Sequence, residues 1–194
     1  SGSFRLQRKE HVNLTLINRA SNQFHKVDPR EIINGLVKLD EILRLNGPNP
    51  TIFSAAAKGY AMLLMVLSPD RMELTDEFAA HALAFLALAK HLDPHSDNAV
   101  YNALLSMAMD YSAHATAELL KTKGKKLEPV DAMFDAFIRK DVQKLKSLDG
   151  YRANTLKCYL LARLYRKMGL SDEARRFSDE LLRKSPCVYP TLVE

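Results

Sequence analysis

His91-x-x-x-His95, with Asp93 and Asp97 beside it, gathers side chains of metal-ligating type in one short stretch. Two histidines four apart on a continuous helix share a face and hold a transition metal between them. Pro94 stands between these two, and a proline inside a helix removes a hydrogen bond and breaks the turn. The stretch therefore reads as a boundary between helices, and no metal and no other cofactor is expected. His81 and His114 stand alone on alanine-rich segments and read as packed or surface histidines. Cys158 and Cys187 are the only cysteines, and neither belongs to a CxxC pair. Cys158 falls on an apolar helical face, which points to a buried reduced thiol. No glycine-rich phosphate loop appears, and no Ser-His-Asp or Cys-His arrangement has local support. The acidic residues are dispersed, so a carboxylate pair of the glycosidase kind is not suggested. The chain is expected not to be an enzyme.

Basic residues offer a different chemistry. The 194 residues carry a net charge of +5, with the basic residues scattered except at Lys121–Lys126 and Arg163–Lys167. Nucleic-acid binders usually interleave such clusters with aromatic residues, so a solvated helical surface is the favoured reading and nucleic acid an unfavoured partner. Salt-sensitive binding to RNA or DNA is the outcome that would reverse it.

The elements that hold these residues are helical. Hydrophobic residues make up 47% of the chain and charged residues 26%, as in a folded globular protein. Apolar residues recur at three and four rather than at two, which predicts helices and no strands. A first helix is expected over 11–24. Asp28-Pro29 begins the next, which runs through Ile32, Ile33, Leu36, Leu39, Ile42 and Leu43 and stops at Asn46-Gly47-Pro48. Thr51 is expected to cap a third helix ending near Ser68-Pro69-Asp70. Thr75 is expected to open a fourth over Asp76–Leu92, whose Ala79, Ala82, Leu83, Leu86 and Ala89 place it near the centre of the stack. Further helices are expected from Asp97 to Tyr111 or beyond, from Pro129 to Arg139, from Tyr151 to Met168 and from Ser171 to Lys184, with only a turn carrying Val142 and Leu145 between two of them.

The last pair carries a recognisable spacing: Cys158-x-x-Leu161-Ala162-x-x-Tyr165, then Gly169, Ala174 and Pro186. It resembles one tetratricopeptide repeat, a helix–turn–helix unit that stacks on copies of itself. Ser178 departs from the pattern, since an aromatic is usual there, and Phe177 is expected to take its place. Phe53, Ala56, Ala57 and Tyr60, followed by Ala82, Leu86, Ala89 and Pro94, resemble a second unit stretched between Leu67 and Phe78.

The resemblance implies an all-α fold: a right-handed array of antiparallel helix pairs, read here as a single domain over residues 4–194. It also implies a concave groove that holds another protein. Carried onto this sequence, the groove presents Lys58 with Ser54 and Met62, then Asn98 and Tyr101, then Tyr159, Arg163, Arg166 and Lys167. The basic end formed by Arg163, Arg166 and Lys167 suits an acidic segment or a C-terminal carboxylate. The function implied is that of an adaptor or scaffold. A second reading is the cytoplasmic part of a membrane-anchored secretion or polysaccharide-export assembly. Ser1-Gly2-Ser3 reads as an expression remnant. The basic run Phe4-Arg5-Leu6-Gln7-Arg8-Lys9 fits the cytoplasmic flank of a preceding anchor. Within the sequence no uncharged stretch approaches the roughly 20 residues of a membrane span.

Overall fold

In a computed structural model of the protein, residues 14–67, 72–95, 129–149 and 153–184 are described, and every regular element among them is an α-helix. They are α1 (14–24), α2 (Pro29–Asn46), α3 (Pro50–Val66), α4 (Met72–Leu92), α5 (Pro129–Ile138), α6 (Val142–Ser147), α7 (Asn154–Lys167) and α8 (Ser171–Lys184). The helix expected from Asp97 to Tyr111 or beyond, the Lys121–Lys126 stretch and Cys187 lie outside the described residues. No described helix is long and apolar enough to cross a membrane.

The helix ends follow local chemistry. Asp28 caps α2 by accepting the Arg30 N–H at 2.9 Å, with Pro29 opening the helix. Gly47 ends it at φ 76°, a left-handed backbone that glycine adopts without penalty. The expected cap of α3 is corrected. Asn49, not Thr51, accepts the N–H groups of Thr51 and Ile52, at 2.8 and 3.2 Å. Pro50 has a fixed φ suited to the first helical position, which leaves Asn49 just outside it. The start of α4 is corrected as well. The helix begins at Met72, because Met72, Glu73 and Leu74 are strong helix formers and Thr75 falls within the first turn. The expected turn around Val142 is the short helix α6, capped by Asp141 on the Lys144 N–H at 3.0 Å.

The terminal hairpin closes as its spacing suggests. The Gly169 N–H donates to the Arg166 carbonyl and the Leu170 N–H to that of Tyr165, at 3.0 and 2.9 Å, while Gly169 takes φ 75°. This is a Schellman closure, which satisfies two carbonyls that the helix end leaves open. The first backbone bond of α8 runs from Ala174 to the Leu170 carbonyl, so Ser171 stands inside the first turn and not at the cap. Between α7 and α8, Tyr165 and Phe177 stack at 5.7 Å, and Ala162, Ala174 and Leu181 are buried. Phe177 is thus an aromatic of this seam, beside the buried Ser178. Lys157 reaches back to donate to the Lys146 and Leu148 carbonyls at 2.6 and 2.8 Å, which ties α7 to the end of α6.

The centre of the fold is α3, and this corrects the expectation for α4. Nearly every residue of α3 from Ile52 to Val66 is buried, whereas α4 turns Leu83, Leu88 and Leu92 outward. The reason is compositional. Apolar or small residues occupy almost the whole circumference of α3, so it can be covered on all sides. It packs against both α2 and α4. The Tyr159 hydroxyl, on α7, donates to the Met65 carbonyl at the end of α3, and the two halves of the described chain share one apolar core. Phe24 packs where Gly35 and Gly59 have no side chains. A Cβ on Gly35 would lie 2.7 Å from its ring, and one on Gly59 2.6 Å. Glycine at both places lets α1, α2 and α3 approach around that ring.

Candidate functional site

Lys58 and Tyr60 lie on the same helix, two residues and therefore about 200° apart around its axis. They mark two faces of α3 with different chemistry.

The Lys58 face is closed. Ser54, Lys58 and Met62 are all buried, Lys58 to 8% exposure. The Lys58 Nζ lies 2.9 Å from Nε2 of His25, in the α1–α2 turn. An ammonium only donates, so the imidazole accepts at Nε2 and is neutral, with its proton on Nδ1. Burial pushes both groups toward their uncharged forms. His25 falls to about 3, through desolvation first and the charge of Lys58 second. Lys58 falls to about 8, again through desolvation, with the Asp131 carboxylate pulling the other way. The next residue but one from His25 is Val27, fully buried at φ 58°. A β-branched residue pays a steric penalty in that region, so the turn holding His25 is held by packing rather than by preference.

The Tyr60 face is open. It forms the floor of a groove of about 460 Å³ whose walls are α2 and α4. From α2 come Ile33, Leu36, Val37 and Leu43; from α4 come Phe78 and Phe85. Ile33 is 48% and Val37 52% exposed, a large apolar exposure for side chains one helical turn apart. Tyr60 anchors an aromatic cluster, with Phe78 at 5.9 Å, Phe85 at 5.8 Å and His81 at 5.1 Å. Among the described residues of the lining, Asp40 is the one that carries a charge. Burial first, then the charges of Asp40 and Glu77, raise the Tyr60 phenol above its ordinary range.

The residues expected to line one groove are therefore distributed. Lys58 belongs to the closed face of α3. Tyr159 is buried, its hydroxyl spent on Met65, and burial raises its phenol despite the opposing Arg163 charge. Asn98 and Tyr101 lie outside the described residues. Arg163, Arg166 and Lys167 do cluster at the end of α7. The Arg163 guanidinium lies 5.9 Å from the Phe137 ring and 5.7 Å from the Tyr159 ring, and Lys167 lies 5.3 Å from Phe137. Lys167 is exposed, and Arg163 and Arg166 are half-buried. This basic end borders α5 and contributes nothing to the lining of the apolar groove. Among the described residues no group of three His, Cys, Asp or Glu side chains converges for a metal. The His95 N–H caps back onto Asp93 at 3.1 Å, as at a helix boundary. Cys158 is a buried free thiol, raised by burial above its ordinary range.

The open groove has a signal in the sequence. On α2, Ile32, Leu39 and Ile42 form one apolar stripe and Ile33, Leu36, Val37 and Leu43 form a second beside it. A helix that packs on one neighbour needs only the first. The first is buried in the core, with Leu39 also reaching the groove, and the second lines the groove. Comparison with protein-family models, with curated proteins and with solved structures found no match.

Proposed function

We propose that the chain is a non-enzymatic protein-interaction module, an adaptor or scaffold built as a tetratricopeptide-like stack of helix pairs. The observation that carries this reading is the open apolar groove over α3, with Ile33 and Val37 exposed on its wall and Tyr60 at its floor. Soluble surfaces seldom leave contiguous large apolar side chains uncovered, and such patches mark interaction sites. A concave apolar cleft with few polar groups suits the anchoring residues of a partner. The tight α7–α8 hairpin, with Ala162 and Ala174 at its seam and a Schellman turn at Gly169, supports the repeat-like architecture.

A photo-crosslinking residue placed at Val37 tests the reading. It is expected to trap a discrete protein, and the trap is expected to be lost when Tyr60 is replaced by Ala. The same probe at Leu45, exposed on α2 and outside the groove lining, is expected to trap none. Equal labelling from both positions would refute the groove as the point of contact.

A further inference from the structure

The groove has a length, a backbone environment and a charge, and together they specify what fits. Its α2 wall runs from Ile33 to Leu43, eleven residues and ten helical rises, or about 15 Å. That length accommodates three apolar side chains spaced i, i+3 or i+4, and i+7 on a docked helix. Both walls and the floor are helices, so their backbone N–H and C=O groups are already bonded within each helix. A partner strand would find no edge to pair with and would bury its own backbone unsatisfied against apolar side chains. A partner helix brings its backbone bonds with it.

The charged groups at the groove are two carboxylates, each with a basic neighbour on its own helix. The sequence carries +5, yet the groove holds the Asp40 carboxylate in its lining and Glu77 acts on Tyr60 from the α4 side. Asp40 is paired at 3.0 Å with Arg44 on its own helix, and Glu77 lies 3.8 Å from His81. Both contacts are solvent-exposed and made within one helix, a class of pairing that holds its partners weakly. Exchanging either partner for an incoming cation therefore costs little.

We propose that the groove over α3 receives an amphipathic helix of a partner protein, with apolar anchors seated on Tyr60, Phe78 and Phe85 and Lys or Arg on its flanks facing Asp40 and Glu77. This rests on the interaction-module reading and specifies the partner it takes. The partner is basic, the reverse of the acidic segment that Arg163 and Arg166 would attract.

A displayed library of helical peptides, selected on the full chain, provides the test. Winners are expected to share apolar residues at i, i+3 or i+4, and i+7, with Lys or Arg enriched beside them. Val37→Asp is expected to weaken them at least about tenfold, as for loss of an anchor contact, while leaving the melting temperature unchanged at so exposed a position. Asp40→Lys is expected to turn the enrichment toward Asp and Glu. The absence of winners, enrichment of acidic flanks on the unmodified chain, or indifference to Asp40→Lys would each overturn the proposal. The Val37 cross-link is read separately. A trapped protein together with failed selection removes only the partner class, whereas failure of both removes the module reading too.

Discussion

The Lys58 ammonium donates to Nε2 of His25 across 2.9 Å inside the protein, while the charge of the Asp131 carboxylate favours its protonated form. A base and an acid, both cationic when protonated, share one buried contact. The unfolded chain holds His25 at an ordinary 6.5 and the folded chain at about 3. Between those values the unfolded state binds the extra proton, so stability is present above 6.5 and is lost as pH falls. The slope approaches about 1.4 kcal/mol per pH unit for one proton. Urea titrations at pH 7, 6 and 5 are expected to show this loss, and His25→Gln, which keeps an acceptor for Lys58, is expected to flatten it. For Lys58, lowered from 10.5 to about 8, stability is expected to rise as pH climbs from 8 to 10.5. Lys58→Met is expected to abolish that rise.

Tyr159→Phe removes the hydroxyl that joins α7 to the Met65 carbonyl and leaves the ring in place. The expected cost is about 1–2 kcal/mol. Thermal melting should show it as a drop of roughly 2–8 °C for a chain of this size. An unchanged melting temperature would mean that the two halves of the core are held by apolar packing alone.

The corrected cap on α3 separates two residues that sequence treats alike. Asn49→Ala is expected to cost about 1 kcal/mol, because two N–H groups lose their acceptor. Thr51→Ala is expected to stay within about 0.5 kcal/mol. Equal losses in chemical denaturation would contradict the assignment.

Gly35→Ala is expected to be more damaging than a surface glycine change. Its Cβ would lie 2.6 Å from the Ala20 carbonyl oxygen, a backbone atom that cannot swing aside. Overpacking of this kind costs about 1–3 kcal/mol. Gly169→Ala meets no atom within 4 Å and is strained only through its φ of 75°, so its loss is expected to be about 1 kcal/mol. Paired denaturation curves rank the two.

The sequence made the all-helical content plain, and it made the α7–α8 hairpin plain down to Gly169 and Ala174. Both depend on short-range periodicity and on punctuation by glycine and proline, which local composition carries. The centre of the stack was harder to see, because α3 and α4 are both rich in alanine and leucine. What separates them is which residues meet a neighbour, a tertiary property. The same limit applied to the groove. The Ser54–Lys58–Met62 face and the Ile52–Ala56–Tyr60 face of α3 are each consistent with a lining, and only packing reveals that the first is covered. A lysine at position 58 looks like surface until His25, 33 residues away, is found against it.

The ring of Phe24 and the bare Cα atoms of Gly35 and Gly59 divide a fixed volume among three helices. They should therefore behave as a single inherited unit. A smaller residue at 24 would create room for alanine at 59, and neither change alone would be as well tolerated as the pair. Among descendants of this chain, positions 24 and 59 are expected to vary in concert, while position 35 stays glycine because the Ala20 carbonyl also blocks a Cβ there. That gives the fold a mark of descent readable even where the rest of the sequence has drifted.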